Sequence, residues 1–392
     1  MADDLNYYKI NTLLSRWTKK NGARPVQASL SIDKSPPMPK QRKAPPSPRP
    51  DPVVKMATDI GKAIDAFSRF KTWLNTPDAP KSPNAPKEET VPPFDIQEIP
   101  DAMRKENMPM GAKVMERWFA GHLNYGPTDA DEKAKINQDG KPWPPDMYDT
   151  KLIKLDWVLK FERAKAKYDY LINTAIRSPA AVHQLRTILT PYKDFGHVFT
   201  TDFCGKDDPE RLHQMFQFQK TPVDGTLSEK IKLQLVAETT NFRVPDDLNA
   251  ALGSFVFYAA VGHARFTSWY KNGVRMSDTT KQVEVKGVWV YVKDDFSFSD
   301  VPGEPSQYLG HWSSNGVIVM PLDGVAALSS YIPYVESPVV IGRKTIKGDV
   351  YYPIHNSDFR EWQLKHKRGG DFVIFTDRRY VPIDPPIRFD VA

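Results

Sequence analysis

The chain has 392 residues, of which 40% are apolar and 11% aromatic, enough for two or three domains with packed cores. Its net charge of +6 lies mainly in residues 1–100, which hold 16 Lys and Arg against 11 Asp and Glu, while the rest holds 38 against 37. A nearly neutral body excludes broad binding to phosphate backbones, so nucleic acid is not an expected partner.

The single cysteine, Cys204, excludes an internal disulfide framework and a multi-cysteine zinc site, and it fits a reducing cytoplasm. The opening residues "MADDLNYYKI" do not combine a basic region with an apolar stretch, as a secretory signal peptide would. No run approaches 18 uncharged apolar residues. We therefore expect a protein that is cytoplasmic in the producing cell and has no signal peptide or transmembrane segment.

Residues 1–100 differ in composition from the rest, since they contain 16 of the 35 prolines but only two of the 21 glycines. Proline removes the backbone donors that helices and sheets need, which favours an extended, flexible tail. Two segments of this tail, near residues 5–18 and 53–75, carry apolar residues at helical spacing. We expect two amphipathic helices. The second must bury its apolar face on the folded body, on a partner protein or on a lipid surface, and its charges of mixed sign favour the body or a protein over a membrane.

Residues 101–245 read as a helical subdomain. The segment "GAKVMERWFAG" predicts one helix, and an apolar stripe predicts a long one from about Thr150 to just before Pro179. A further helix, "PAAVHQLRTILT", begins at Pro179. Asp208 and Pro209 are typical of the cap and first turn of another.

Residues 246–392 contain short runs rich in Val, Ile, Phe, Tyr and Trp, which predict a mainly antiparallel β-rich domain. Asn315-Gly316 between apolar runs indicates a hairpin. One helix interrupts the strands, "NSDFREWQLKHKRGG" at residues 356–370, whose acids and bases complement its own dipole. The predicted fold class is therefore α+β, a helical subdomain followed by a β-rich domain.

Standard catalytic motifs are missing, including the P-loop, GxGxxG, HExxH and GxSxG. Cys204 lies near His197 and His213 in sequence, which could provide a nucleophile and its base, but a buried hydrophobic role is the favoured interpretation. Glu210 and His213 form one ExxH pair, whereas a di-metal carboxylate site needs two.

The densest polar segment lies where one predicted strand leaves the sheet and another returns. It holds the candidate catalytic residues Asp294, Asp295, Asp300 and His311. Carboxylates and an imidazole at one sheet edge would suit acid–base hydrolysis or a divalent cation. The alternative is that these residue types simply form the connecting loop. The identity of any metal or cofactor stays open.

The segments "NSDFREWQLKHKRGGDFVIFTD", "GVWVYVKDDFSFSD", "SQYLGHWS" and "ERWFAG" resemble a group of uncharacterised proteobacterial proteins, domain of unknown function 6402, over about residues 105–385. This resemblance transfers no catalytic residue. It implies a context, because such proteins look like neighbours of type VI secretion components, particularly spike and PAAR-type proteins, and like antibacterial effectors.

We therefore expect a type VI effector whose C-terminal domain is the toxic module. Its tail would load it onto a secretion spike, a PAAR-type protein or a chaperone, and an immunity protein would protect the producer. One alternative is a non-enzymatic adaptor or structural partner of the spike. Another is a hydrolase of lipid II or peptidoglycan, since "DDFSFSD" is similar to the aspartate-aromatic motif of colicin M-like enzymes. Those enzymes have a His-Arg pair, whereas His311 precedes Trp312.

Overall fold

A computed structural model of the chain divides it into two compact units, which are described separately. The described residues of the first unit lie within 1–106 and 305–361, and those of the second within 107–237, 245–304 and 362–392. The helix predicted over residues 53–75 lies outside the described residues. The structure describes residues 7–11, 16–20, 30–36, 94–204, 208–225, 246–268, 270–271, 274–275, 280–300, 303, 306–318, 335–341 and 344–392.

Two helices begin where the sequence predicts, one at Pro179 and one after the predicted cap Asp208. The side chain of Ser178 accepts a hydrogen bond from the backbone N–H of Ala181, and that of Asp208 accepts one from Arg211, each just before a proline that opens a helix. The helices are α1 Ile99–Lys105, α2 Pro109–Ala120, α3 Asp129–Ala134, α4 Leu155–Val158, α5 Glu162–Asn173, α6 Pro179–Leu189, α7 Pro209–Phe216, α8 Asp247–Leu252 and α9 Asn356–His366, and 3₁₀ turns span Ile96–Glu98, Pro145–Met147, Ala175–Arg177, Thr190–Tyr192 and Asp202–Cys204.

The prediction of one long helix from about Thr150 to just before Pro179 is wrong, because the helix is interrupted. The stripe is divided between α4, α5 and a 3₁₀ turn. Across the first break the ring of Trp157 packs edge-to-face on that of Phe161, with centroids 5.3 Å apart. Because the apolar spacing stays at three or four residues through the break, periodicity alone could not reveal it.

The strands confirm the α+β class, with most neighbouring strands antiparallel. Parallel pairs join β1 to β14, β3 to β4 and β5 to β16. The strands are β1 Tyr7–Asn11, β2 Arg16–Lys20, β3 Leu30–Ser31, β4 Phe94–Asp95, β5 Tyr148–Asp149, β6 Val198–Thr200, β7 Gln217–Val223, β8 Phe255–Ser268, β9 Tyr270–Lys271, β10 Val274–Arg275, β11 Lys281–Phe296, β12 Tyr308–Ser313, β13 Gly316–Ile318, β14 Val335–Ile341, β15 Lys344–His355, β16 Phe372–Phe375 and β17 Arg379–Val391.

The first unit contains a six-stranded sheet in the order β13-β12-β15-β14-β1-β2. Its last two strands correct the prediction of a helix near residues 5–18. β1 pairs antiparallel with β2, from Tyr7 opposite Lys20 to Asn11 opposite Arg16, and it also pairs with β14. A helix this short is marginal on its own, whereas an existing sheet edge supplies backbone partners for an added strand.

The hairpin predicted at Asn315-Gly316 is confirmed, but its turn lies one residue earlier. Ser313 pairs with Gly316, so Ser314 and Asn315 form the turn. A Cβ atom at Gly316 would lie 2.1 Å from Oε1 of Glu106. Gly316 therefore lies outside the turn, and its lack of a side chain leaves room for the Glu106 carboxylate.

The second unit is built on a seven-stranded sheet in the order β5-β16-β11-β8-β6, in which β17 also pairs with β11 and β7 with β8. β11 runs along the centre of this sheet. On one side it pairs first with β17, as far as Val290, and then with β16, from Lys293 onward. Tyr291 therefore lies where one neighbouring strand gives way to the next.

Helices and strands that the sequence assigned to separate domains share the core of this unit. α5 and α6 pack on β7, and the ring of Tyr168 on α5 lies edge-to-face on Phe257 of β8, with centroids 5.9 Å apart. These helices and strands therefore belong to one compact unit of the structure. Apolar strands of this length need a covering layer, and the preceding helices provide it.

The helix predicted at residues 356–370 forms as α9 and is capped at both ends. Oδ2 of Asp358 accepts a hydrogen bond of 2.7 Å from the backbone N–H of His355, and Lys367 and Gly369 adopt positive φ angles of 52° and 87° after the last turn. Arg368, predicted to complement its own helix, instead donates to carbonyl oxygens at the end of α2.

Candidate functional site

The predicted site residue Asp295 lies near the end of β11, in the second unit. Its Oδ2 atom is 2.8 Å from Nζ of Lys135 and its Oδ1 atom is 3.5 Å from Nζ of Lys293. The carboxylate is therefore shared between two ammonium groups.

Asp294, the residue before Asp295, is half-buried, and so is Asp300 in the segment after β11. Withdrawal from water, followed by the negative charge of Asp295, raises the pKa of Asp294 well above its usual range, while Lys293 acts in the opposite direction. Asp294 and Asp295 point to opposite faces because side chains alternate along a strand. The two adjacent carboxylates thus have different environments.

His311 lies on β12 in the first unit, whereas the three aspartates belong to the second. Its side chain is fully buried, and Nδ1 lies 2.5 Å from the hydroxyl oxygen of Tyr308. Asp294 and Asp295 are thus close only because they are consecutive in the chain. His311 belongs to the core of the other unit. A catalytic role for Asp294, Asp295, Asp300 and His311 stays a prediction.

A second polar group, which the sequence analysis did not assemble, lies where α7 covers the sheet of the second unit. Nδ1 of His213 is 3.0 Å from the hydroxyl oxygen of Tyr291 on β11. The imidazole also lies edge-to-face on Tyr258 of β8, with ring centroids 4.7 Å apart. Together with Glu210, one turn earlier on α7, these residues are called the α7–β11 cluster.

Glu210 leaves part of its hydrogen-bonding capacity unused. Oε1 accepts from Nε2 of Gln214 at 3.0 Å, but Oε2 is buried and has no partner among the described residues. Burial raises the pKa of Tyr291 well above its usual range, and the charges of Tyr258 and Glu210 act in the same direction. Buried polar atoms are nearly always satisfied in folded proteins, so an unused carboxylate oxygen beside a Tyr–His pair suggests a functional role.

His213 is held in its neutral form. Burial and then the positive charge of Lys293 lower its pKa from 6.5 to about 4, although Asp295 acts in the opposite direction. A neutral imidazole can accept a proton at one nitrogen while the other is bonded to a hydroxyl group. The α7–β11 cluster therefore combines a neutral imidazole with a protonated phenol at neutral pH.

We expect His213 to titrate with a midpoint of about 4 instead of 6.5. Because the unfolded chain binds this proton at higher pH than the folded chain, the group makes the folded state less stable as pH falls from 6.5 toward 4. Proton NMR of the imidazole signals measures the midpoint, and His213→Gln identifies the signal among eight histidines. A midpoint at the ordinary histidine value would contradict this assignment.

Cys204, the other residue considered with His213, behaves as a buried apolar group. Its side chain is 2% exposed, and burial raises the pKa of its thiol. This agrees with the favoured interpretation from the sequence. Glu210 and His213 were noticed for their ExxH spacing, but Tyr291 lies 78 residues from His213 in the chain, and no local pattern connects them.

The described residues contain no group of three or more His, Cys, Asp or Glu side chains that could hold a metal ion. The divalent-cation interpretation of Asp294 to His311 therefore gains no support in this part of the chain. No helix in the described ranges is both long and apolar enough to cross a membrane.

The second unit is an α+β fold with a Tyr–His pair under a short helix, and comparison with known proteins places the chain in a family. Residues 94–391 match a family of unknown function, DUF6402, and the chain belongs to that family. A search of the curated proteins and a search of the solved structures each found no match to this chain.

Proposed function

We propose that this chain is an antibacterial effector of the type VI kind, in which the DUF6402 region is the toxic module and the preceding tail is the loading element. The observation that supports this division is the start of the family match at residue 94. The match leaves out nearly all of the proline-rich tail, so the tail, apart from the short strands β1, β2 and β3, is an addition to the family's folded region. A secretion spike, a PAAR-type protein or a chaperone is its proposed partner.

The α7–β11 cluster is the proposed chemical centre of the toxic module. It combines the neutral imidazole of His213, the hydroxyl of Tyr291 at 3.0 Å and the unused carboxylate oxygen of Glu210. These are the groups that general acid–base catalysis requires, and such catalysis typically contributes about 10²- to 10⁴-fold in rate.

Expression of the full chain in a susceptible bacterium, with and without an export signal to the periplasm, tests the proposal. We expect growth arrest in one of the two compartments. His213→Ala should relieve it, whereas His183→Ala, on the exposed face of α6, should not. Circular dichroism of both purified variants checks that folding is intact.

The outcomes separate the remaining alternatives. Absence of toxicity in both compartments would reject the effector and favour the adaptor of a secretion spike. Toxicity confined to the periplasm, and lost in Asp295→Ala or His311→Ala with folding intact, would favour the envelope hydrolase. Deletion of residues 37–93, which keeps the paired strands β1, β2 and β3, should leave toxicity on direct expression but abolish co-purification with spike proteins.

A further inference from the structure

Arg378 occupies a defined position beside the α7–β11 cluster, in the short connection between β16 and β17. Before it, the backbone N–H of Thr376 donates to the carbonyl oxygen of Val292 at 3.1 Å; after it, Arg379 pairs with Val290. Backbone pairing on both sides therefore holds Arg378 alongside Tyr291, at the point where β11 changes neighbours.

The guanidinium group of Arg378 is stacked on an indole ring, and two of its three nitrogens have no hydrogen-bond partner among the described residues. Its Cζ atom lies 4.5 Å from the centre of the Trp289 ring. Among the described residues, Nε and Nη1 of Arg378 and Nε1 of Trp289 are buried and have no hydrogen-bond partner. Buried donors are almost always paired, so three donor nitrogens without partners at one stacked pair indicate that an acceptor belongs there.

The local charge also favours an anion. The positive charges of Arg378 and Arg211 both act to lower the pKa of Cys204, against burial and the opposing charge of Asp208. By contrast, the neighbouring Arg379 forms a salt bridge with Asp156. Arg379 therefore has a carboxylate partner, whereas the described residues supply none to Arg378.

We propose that Arg378 and Trp289 form a binding site for an oxyanion, a phosphate or carboxylate group of a ligand, next to the hydroxyl of Tyr291. Each guanidinium N–H group can form a charge-assisted hydrogen bond with either kind of oxyanion, and the indole N–H of Trp289 adds a neutral donor. The ligand's anionic group would thus lie beside the Tyr291–His213 pair. This proposal is independent of the effector proposal, since it concerns binding alone.

Isothermal titration of the full chain with inorganic phosphate and, separately, with acetate at low ionic strength tests the site. We expect at least one anion to bind, and Arg378→Met to weaken that binding by about tenfold or more, the effect of losing one charge-assisted hydrogen bond. Arg379→Met is the matched control, since it removes the same charge one residue away and should leave binding unchanged. Trp289→Phe keeps the stacked ring, removes the N–H group and should cause a smaller loss.

Thermal unfolding provides a second measurement, in case a variant binds poorly because it is misfolded. The binding anion should raise the midpoint of the native chain and of Arg379→Met, but not that of Arg378→Met. Without the anion, Arg378→Met should be at least as stable as the native chain, because an apolar side chain replaces a buried, unpaired cation. No binding of either anion to the native chain, or equal losses in the two arginine variants, would overturn the proposal. Preference for phosphate or for acetate identifies the anion class.

Discussion

Trp118→Ala is expected to lower the free energy of unfolding of the second unit by about 4 to 6 kcal/mol, the cost of a large buried cavity plus a lost hydrogen bond. Trp118 on α2 is fully buried, and its Nε1 donates to Oδ1 of Asp371 at 2.9 Å. Its ring contacts those of Phe119, Phe298 and Trp362, with centroids between 5.0 and 5.7 Å apart. These contacts join three separate parts of the chain in one core.

Urea unfolding followed by near-ultraviolet circular dichroism measures this effect. Trp118→Phe keeps an aromatic ring and removes the N–H donor, so it should cost clearly less than Trp118→Ala. Leu364→Ala is the surface control, because Leu364 is 43% exposed on α9 and should change stability by less than about 0.5 kcal/mol. A Trp118→Ala midpoint equal to that of Leu364→Ala would show that this cluster does not support the core.

Arg163→Ala is expected to destabilise the second unit by about 3 to 5 kcal/mol, because it leaves a buried carboxylate without its cation. Nε of Arg163 on α5 donates to Oδ2 of Asp224 at 2.7 Å, and the Asp224 side chain is 6% exposed. Nη2 donates to Oδ1 of Asp246, the cap of α8, also at 2.7 Å. One guanidinium therefore ties α5 to the end of β7 and the start of α8.

The matched control is Lys165→Ala on the same helix, which removes a surface pair with Asp169 that is worth well under 1 kcal/mol. Arg163→Met combined with Asp224→Asn should recover part of the loss, since no buried charge is then left unpaired. Equal denaturation midpoints for Arg163→Ala and Lys165→Ala would contradict the expected role of the buried pair.

The same network gives the native chain an acid sensitivity. Burial alone would raise the pKa of Asp246, but the hydrogen bond and charge of Arg163 and the backbone N–H of Asn249 hold it below 3.8. A group whose pKa is lower when folded contributes stability above its unfolded value, and that stability is lost as pH falls through the folded value. Unfolding below pH 4 should therefore depend less on pH in Arg163→Ala than in the native chain.

The sequence predicted those features that depend on a few neighbouring residues. Asp208 marks a helix start because its side chain accepts a hydrogen bond from an N–H group three residues later, and Pro179 marks another because its fixed φ suits a first turn. α9 begins and ends where its polar and glycine residues allow it to. The hairpin after Ser313 was recognised from turn residues, although its turn was misplaced by one residue.

Predictions that required distant partners were wrong or were not made. The helix expected near residues 5–18 is replaced by strands because β14, more than 300 residues away in the chain, provides a sheet edge for β1. Helices before residue 245 and strands after it share one core, a packing that local patterns could not indicate. His311 and the three predicted aspartates lie in different units, although they are close in sequence.

The amino-acid sequence by itself determined the α+β class, the capped helices and the contrast between the proline-rich tail and the folded body. These features follow from backbone restriction, capping and apolar periodicity, which act over a few residues. The tertiary structure alone decided that His213 meets Tyr291 and that Arg378 stacks on Trp289 with unused donors. The reason is physical: such contacts depend on which strands pair and which helix covers them, and those choices are set by burial summed over the whole core.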